Sequence, residues 1–151
     1  MQLLKMDKPQ CILYAAAMVL YVEPKTLIHE IGHDGMRMLW PELQSPACFQ
    51  SFHIQEIIDC FIRRGFGLTP IEQHPANAPN HDVMPNYPFQ LESCKRFKDI
   101  INGQTGIMIG KSYGRPHAWA WDGEQCYDPN SYIKTLNDYA IEECWIKTVL
   151  I

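Results

Sequence analysis

The chain has 151 residues, 46% of them hydrophobic and 20% charged, with a formal net charge of −4 and a pI near 5.8. That length supports one domain, residues 1–151, with a single good core, and the composition excludes a disordered chain. An acidic balance without a Lys/Arg run gives no attraction to nucleic acid or anionic membranes. The longest apolar run, Cys11 to Val22, is too short to span a bilayer, and nothing before it reads as a secretion signal, so the expected location is the cytoplasm.

The first element is organised around Pro9-Gln10-Cys11. Proline discourages helix just upstream, and Ile12 to Val22 is a strong helix former, apolar on nearly every face, as expected of a central helix. Cys11 falls in its first turn, where unpaired N–H groups and the positive end of the dipole favour a thiolate. Glu23 to Gly32 reads as a second helix, with Pro24 in its first turn and Gly32 as its stop. His33 to Gln50 is irregular, with Met36, Met38, Leu39, Trp40 and Leu43 expected against the core. Ser51 suits the cap of a third helix whose apolar stripe is Phe52, Ile54, Ile57, Ile58, Phe61 and Ile62. A strand over Phe66 to Ile71 follows, then a proline-rich loop from Gln73 to Pro88, then a helix from Gln90 to Asn102. The pattern then turns to strands: Gly106–Gly110, His117–Trp121, Gln125–Asp128 and Cys144–Val149. Helices first and an antiparallel sheet second make an α+β arrangement.

The six cysteines contain no C-x-x-C pair, so zinc-ribbon and dithiol redox chemistry are not indicated. Apart from Cys11 they read as small apolar fillers. His117 and Asp128 flank a turn at Asp122-Gly123. If that dipeptide is a two-residue hairpin loop, Trp121 faces Glu124 and His117 faces Asp128. Directly opposed residues share a face with Cβ atoms roughly 4.5–5.5 Å apart, close enough for a carboxylate to orient an imidazole. The other ring nitrogen is then left to take a proton from Cys11. Asn130 is the alternative orienter if the register slips. Trp119 shares the face of His117 and is a candidate wall for the cleft.

A cysteine opening a central helix, a late strand His and an Asp or Asn on the next strand resemble the papain-like cysteine peptidase superfamily. Cys11-Ile-Leu-Tyr-Ala-Ala-Ala-Met-Val-Leu, His117-Ala-Trp-Ala-Trp-Asp-Gly and Tyr127-Asp128-Pro129 are similar to its compact branch, which includes bacteriocin-leader-processing peptidases and small phage and bacterial proteins. The resemblance implies a papain-like fold, N-terminal helices packed on a C-terminal antiparallel sheet, and hydrolysis of a peptide or protein substrate without a cofactor. Cys11 would be nucleophile, His117 general base and then acid, and Asp128 the orienter. Where such peptidases usually carry an oxyanion Gln, about six residues before the cysteine, this chain has Lys5, and Gln10 becomes the oxyanion candidate, with Gln2 the further choice. Ile12 stands where the family often has Gly.

One string competes. His29-Glu30-Ile31-Gly32-His33 is a literal HExxH, which on a helix puts two zinc ligands on one face with Glu30 as general base. Gly32 and the following Asp34-Gly35 predict that the helix ends inside the motif, so no metal site is expected. His53 and Glu56 on the third helix read as surface residues. A catalytically inactive binding module on the same fold is the other alternative.

Overall fold

The computed structural model describes residues 1–37, 52–73 and 88–151, with the backbone alone for 88–94. The expected contacts of Met38, Leu39, Trp40 and Leu43, the Ser51 cap and most of the proline-rich loop lie outside these residues. Within them the chain is α+β, with four α-helices and a six-stranded antiparallel sheet. The helices are α1 (Cys11–Leu20), α2 (Pro24–Ile31), α3 (Ile54–Ile62) and α4 (Pro88–Ile101). The strands are β1 (Phe66–Glu72), β2 (Gly106–Ser112), β3 (Arg115–Trp121), β4 (Cys126–Asp128), β5 (Tyr132–Lys134) and β6 (Ala140–Val149), ordered β1-β6-β2-β3-β4-β5. β5 and the early start of β6 were not signalled by the sequence.

Side-chain alternation along β3 divides the core into two layers. Ala118 and Ala120, with Ile107 and Ile109 of β2, face α1, of which every residue except Tyr14 is buried. The two alanines leave room for the helix to lie close to the strand. Trp119 and Trp121 face the other way, into a layer with Met108, Cys126, Tyr139, Cys144 and the α4 residues Phe97 and Ile101. Ile62, expected in an apolar stripe, is 50% exposed, as is Ile100 of α4, and Met36, expected against the core, is 43% exposed. Ile62 ends α3 and Ile100 is the penultimate residue of α4.

Local chemistry sets the element ends. Tyr21 stops α1 in a left-handed conformation, φ 57°, and Gly32 stops α2 in the same way. The cap of α3 is His53: its ring accepts from the Gln55 N–H, while the Glu56 carboxylate accepts from the His53 N–H. β1 contains Pro70, which a sheet tolerates because β1 is an edge strand with one unpaired side. Tyr113 and Gly114, both at positive φ, form the two-residue loop joining β2 to β3, which requires that conformation at both positions. No single helix among the described residues is long and apolar enough to cross a membrane; α1 and α2 meet at 112°.

Candidate functional site

The site begins with the register of the β3–β4 hairpin, and here the sequence-based expectation is corrected. Trp121 pairs with Cys126 and Ala120 with Tyr127, so the loop has four residues, Asp122 to Gln125, rather than two. Asp122 causes this: its carboxylate accepts from the backbone N–H groups of Glu124 and Gln125 at 2.8 and 2.6 Å, an Asx-type turn that holds the longer loop. The loop also docks on the end of α4, where the Gly103 N–H donates to the Gly123 carbonyl at 2.9 Å. Continued along the strands, this register sets Trp119 opposite Asp128 and makes His117 its diagonal neighbour. A slip of two residues leaves every side chain on its original face. His117 and Asp128 therefore still meet, with His117 Nε2 2.9 Å from Asp128 Oδ1.

Both residues are buried, His117 at 6% and Asp128 at 1% exposure. The ionised carboxylate only accepts, so Nε2 carries the proton and Nδ1 of the neutral ring is the acceptor. Asp128 takes two further hydrogen bonds. The Asn130 backbone N–H donates to Oδ1 at 2.8 Å and the Tyr139 hydroxyl to Oδ2 at 2.7 Å. Burial works to raise the Asp128 pKa, but the His117 hydrogen bond (joined by its charge when the ring is protonated), the Asn130 N–H and the Tyr139 hydroxyl outweigh it and hold the carboxyl below its ordinary value. Asn130, named as a substitute orienter, thus serves Asp128 through its backbone. Trp119 stacks on His117 with centroids 6.0 Å apart and on Tyr139 at 3.8 Å. Sequence reasoning missed Tyr139 altogether. It lies in no motif, and only the β6 placement brings it to Asp128.

Cys11 opens α1 and is fully buried. No side chain caps this helix and no acidic residue occupies its first turn, so its own sequence leaves the helix dipole there unopposed. Two contacts orient α1 on the sheet. At its C-terminal end the Lys147 ammonium reaches the Val19 carbonyl at 3.4 Å, and the Lys147 N–H bonds to Thr105, just before β2. Since Gly106 pairs with Trp121, this end of α1 lies over the Trp121 end of β3. Near its N-terminal end the Met6 N–H bonds to the Pro129 carbonyl at 2.8 Å, tying the approach to α1 to the turn after Asp128. Gln10 is buried, and its side-chain amide donates to the Asp34 carbonyl at 2.6 Å. Gln2 and Lys5 instead line a groove of about 400 Å³ that runs to Tyr21 and Pro24, beyond the C-terminal end of α1.

The HExxH string has other work. α2 ends at Ile31 with Gly32 left-handed, so His33 is off the helix and does not share a face with His29. Glu30 is gripped by the Arg64 guanidinium through both oxygens, with Arg63 Nη1 at 3.8 Å, and Arg64 first among these contacts lowers its pKa. His33 Nε2 lies 2.6 Å from Glu56, while its Nδ1 accepts from the Gly35 N–H at 3.0 Å. His53 and Glu56 are thus a helix cap and a tertiary clasp rather than free surface residues. Among the described residues no group of three or more His, Cys, Asp or Glu side chains is placed to hold a metal ion.

Compared with known proteins, the chain matches no family model, no curated protein and no solved structure.

Proposed function

We propose that the protein is a papain-like cysteine-type hydrolase acting on a peptide, isopeptide or amide bond through Cys11, His117 and Asp128. The observation that carries this reading is the buried His117–Asp128 hydrogen bond, which orients the imidazole and leaves Nδ1 as the base, with the approach to Cys11 tied to the turn after Asp128 by the Met6–Pro129 hydrogen bond. Nδ1 takes the Cys11 proton, and the thiolate attacks the carbonyl carbon of the scissile amide. The Cys11 backbone N–H, with the second amide N–H of Gln10, is the candidate oxyanion hole. The tetrahedral species collapses to a thioester as His117 gives its proton to the leaving amine. Water, deprotonated by Nδ1, then attacks the thioester carbonyl, releasing the acid and restoring the thiol. An amine in place of water makes the same parts an acyl transferase.

The complete burial of Cys11 favours a second reading, a catalytically inactive binding module on this fold in which the cysteine is a structural core residue. Alkylation by iodoacetamide across pH, mapped by mass spectrometry in the wild type and in His117→Ala, separates the two. Hydrolase chemistry requires Cys11 to label below pH 7, with that reactivity lost in the variant. Labelling only above about pH 8.5, as for an ordinary thiol, supports the binding module.

A further inference from the structure

We propose that Tyr139 is a positioning residue for the His117–Asp128 pair, fixing the carboxylate through its second oxygen so that Oδ1 stays directed at the imidazole. The inference rests on the hydrolase reading for its catalytic meaning, but its geometry stands apart from Cys11. Tyr139 is 1% exposed, and its hydroxyl donates to Asp128 Oδ2 at 2.7 Å. His117 and the Asn130 N–H both hold Oδ1, about which the carboxylate can still pivot; a donor on Oδ2 removes that freedom.

Tyr139 is itself held on three sides. Its ring lies 3.8 Å from Trp119, centroid to centroid, with 13° between the planes, and Trp119 in turn stacks on His117. The Lys134 ammonium of β5 stands 5.8 Å from its ring centroid. Its backbone follows the 3-10 turn Leu136–Asp138, which is fixed by a capping box between Thr135 and Asp138. One stack of rings therefore ties the orientation of the imidazole to that of its carboxylate partner. The titratable and charged groups that face this centre are His117 on β3, Cys126 on β4, Lys134 on β5, Asp138 in the 3-10 turn and Tyr139 itself.

Tyr139→Phe keeps the stacked ring and removes only the hydroxyl. Its test is the titration midpoint of the Asp128 carboxyl, read by carbon NMR, together with the pH profile of Cys11 alkylation. Losing a donor to the charged form moves the Asp128 midpoint up by about one pH unit, and Cys11 labelling falls at the acid end. A purely structural tyrosine would lower stability and leave the midpoint in place, and that result overturns the proposal. Should Tyr139→Phe fail to fold, 3-fluorotyrosine placed at position 139 alone supplies a more acidic, stronger donor. The midpoint then moves down; no movement overturns the proposal equally. If Cys11 labels identically in the wild type and His117→Ala while the Asp128 midpoint still shifts, the hydrolase reading fails and the positioning role of Tyr139 survives.

Discussion

Replacing Asp128 with alanine removes the acceptor shared by three donors, and the structure says which of them suffer. The Asn130 N–H belongs to an exposed residue and turns to water. The His117 Nε2–H and the Tyr139 hydroxyl are buried, at 6% and 1% exposure, and lose their partner. An orphaned buried donor costs about 1–3 kcal/mol, so the substitution should remove about 2–6 kcal/mol, a large part of the ~5–15 kcal/mol that holds a domain together. Asp128→Asn keeps the shape and one acceptor oxygen, and the Tyr139 hydroxyl can rotate to accept from the new amide; that variant should lose about 1–2 kcal/mol. Urea titration at neutral pH measures both, with the midpoint and slope read together. The pH dependence follows from the sign of the shift. The folded-state pKa of Asp128 lies below its ordinary 3.8, so its contribution is complete well above that value and is lost as pH falls through 3.8 toward the lowered one. The gap between wild type and Asp128→Ala should accordingly close only in strong acid. A loss below about 1 kcal/mol for Asp128→Ala, or a gap that widens below pH 3.8, would refute the account of the buried network.

Other expectations concern neighbouring parts. A Cβ on Gly110, which pairs with His117, would sit 2.2 Å from the Ala140 carbonyl oxygen, so Gly110→Ala should cost more than about 2 kcal/mol. Gly114→Ala meets no atom within 4 Å and should cost only about 1 kcal/mol for its positive φ; denaturation midpoints in the reverse order would remove close approach as the reason for Gly110. Burial pushes the Cys60 thiol to about 11 and the Cys126 thiol to about 12. Both should therefore resist iodoacetamide near pH 8 until the protein is unfolded, and native labelling of either, seen by peptide mapping, would contradict that burial. Because His33 has left the helix and Glu30 is held by Arg64, added zinc should leave the melting temperature unchanged. A rise with zinc, matched by a stoichiometric metal content, would restore the HExxH reading.

Much of the candidate site is legible in the sequence. The Pro-Gln-Cys lead into an all-apolar run placed Cys11 at the first position of a buried helix, because proline and side-chain periodicity act over a few residues. Alternation along His117-Ala-Trp-Ala-Trp put His117 and Trp119 on one face and left alanines against the helix. Gly32 ended α2 inside the HExxH string for the same local reason, its tolerance of positive φ. The register of a two-residue Asp-Gly loop differs from the observed one by two residues, and His117 still meets Asp128 because sheet faces repeat every two.

What the sequence left open depends on groups far apart in the chain. The length of the β3–β4 loop was decided by the Asp122 carboxylate and by docking on Gly103, neither of which an Asp-Gly dipeptide reveals. The burial of Gln10 against Asp34, the cap and clasp formed by His53, Glu56 and His33, and the Tyr139 hydroxyl on Asp128 are contacts between segments with no common motif. Short-range propensity fixes where a helix or strand begins and which way its side chains face. The partner that satisfies a buried polar group is set by packing, since any donor that the assembled layers bring within reach will serve.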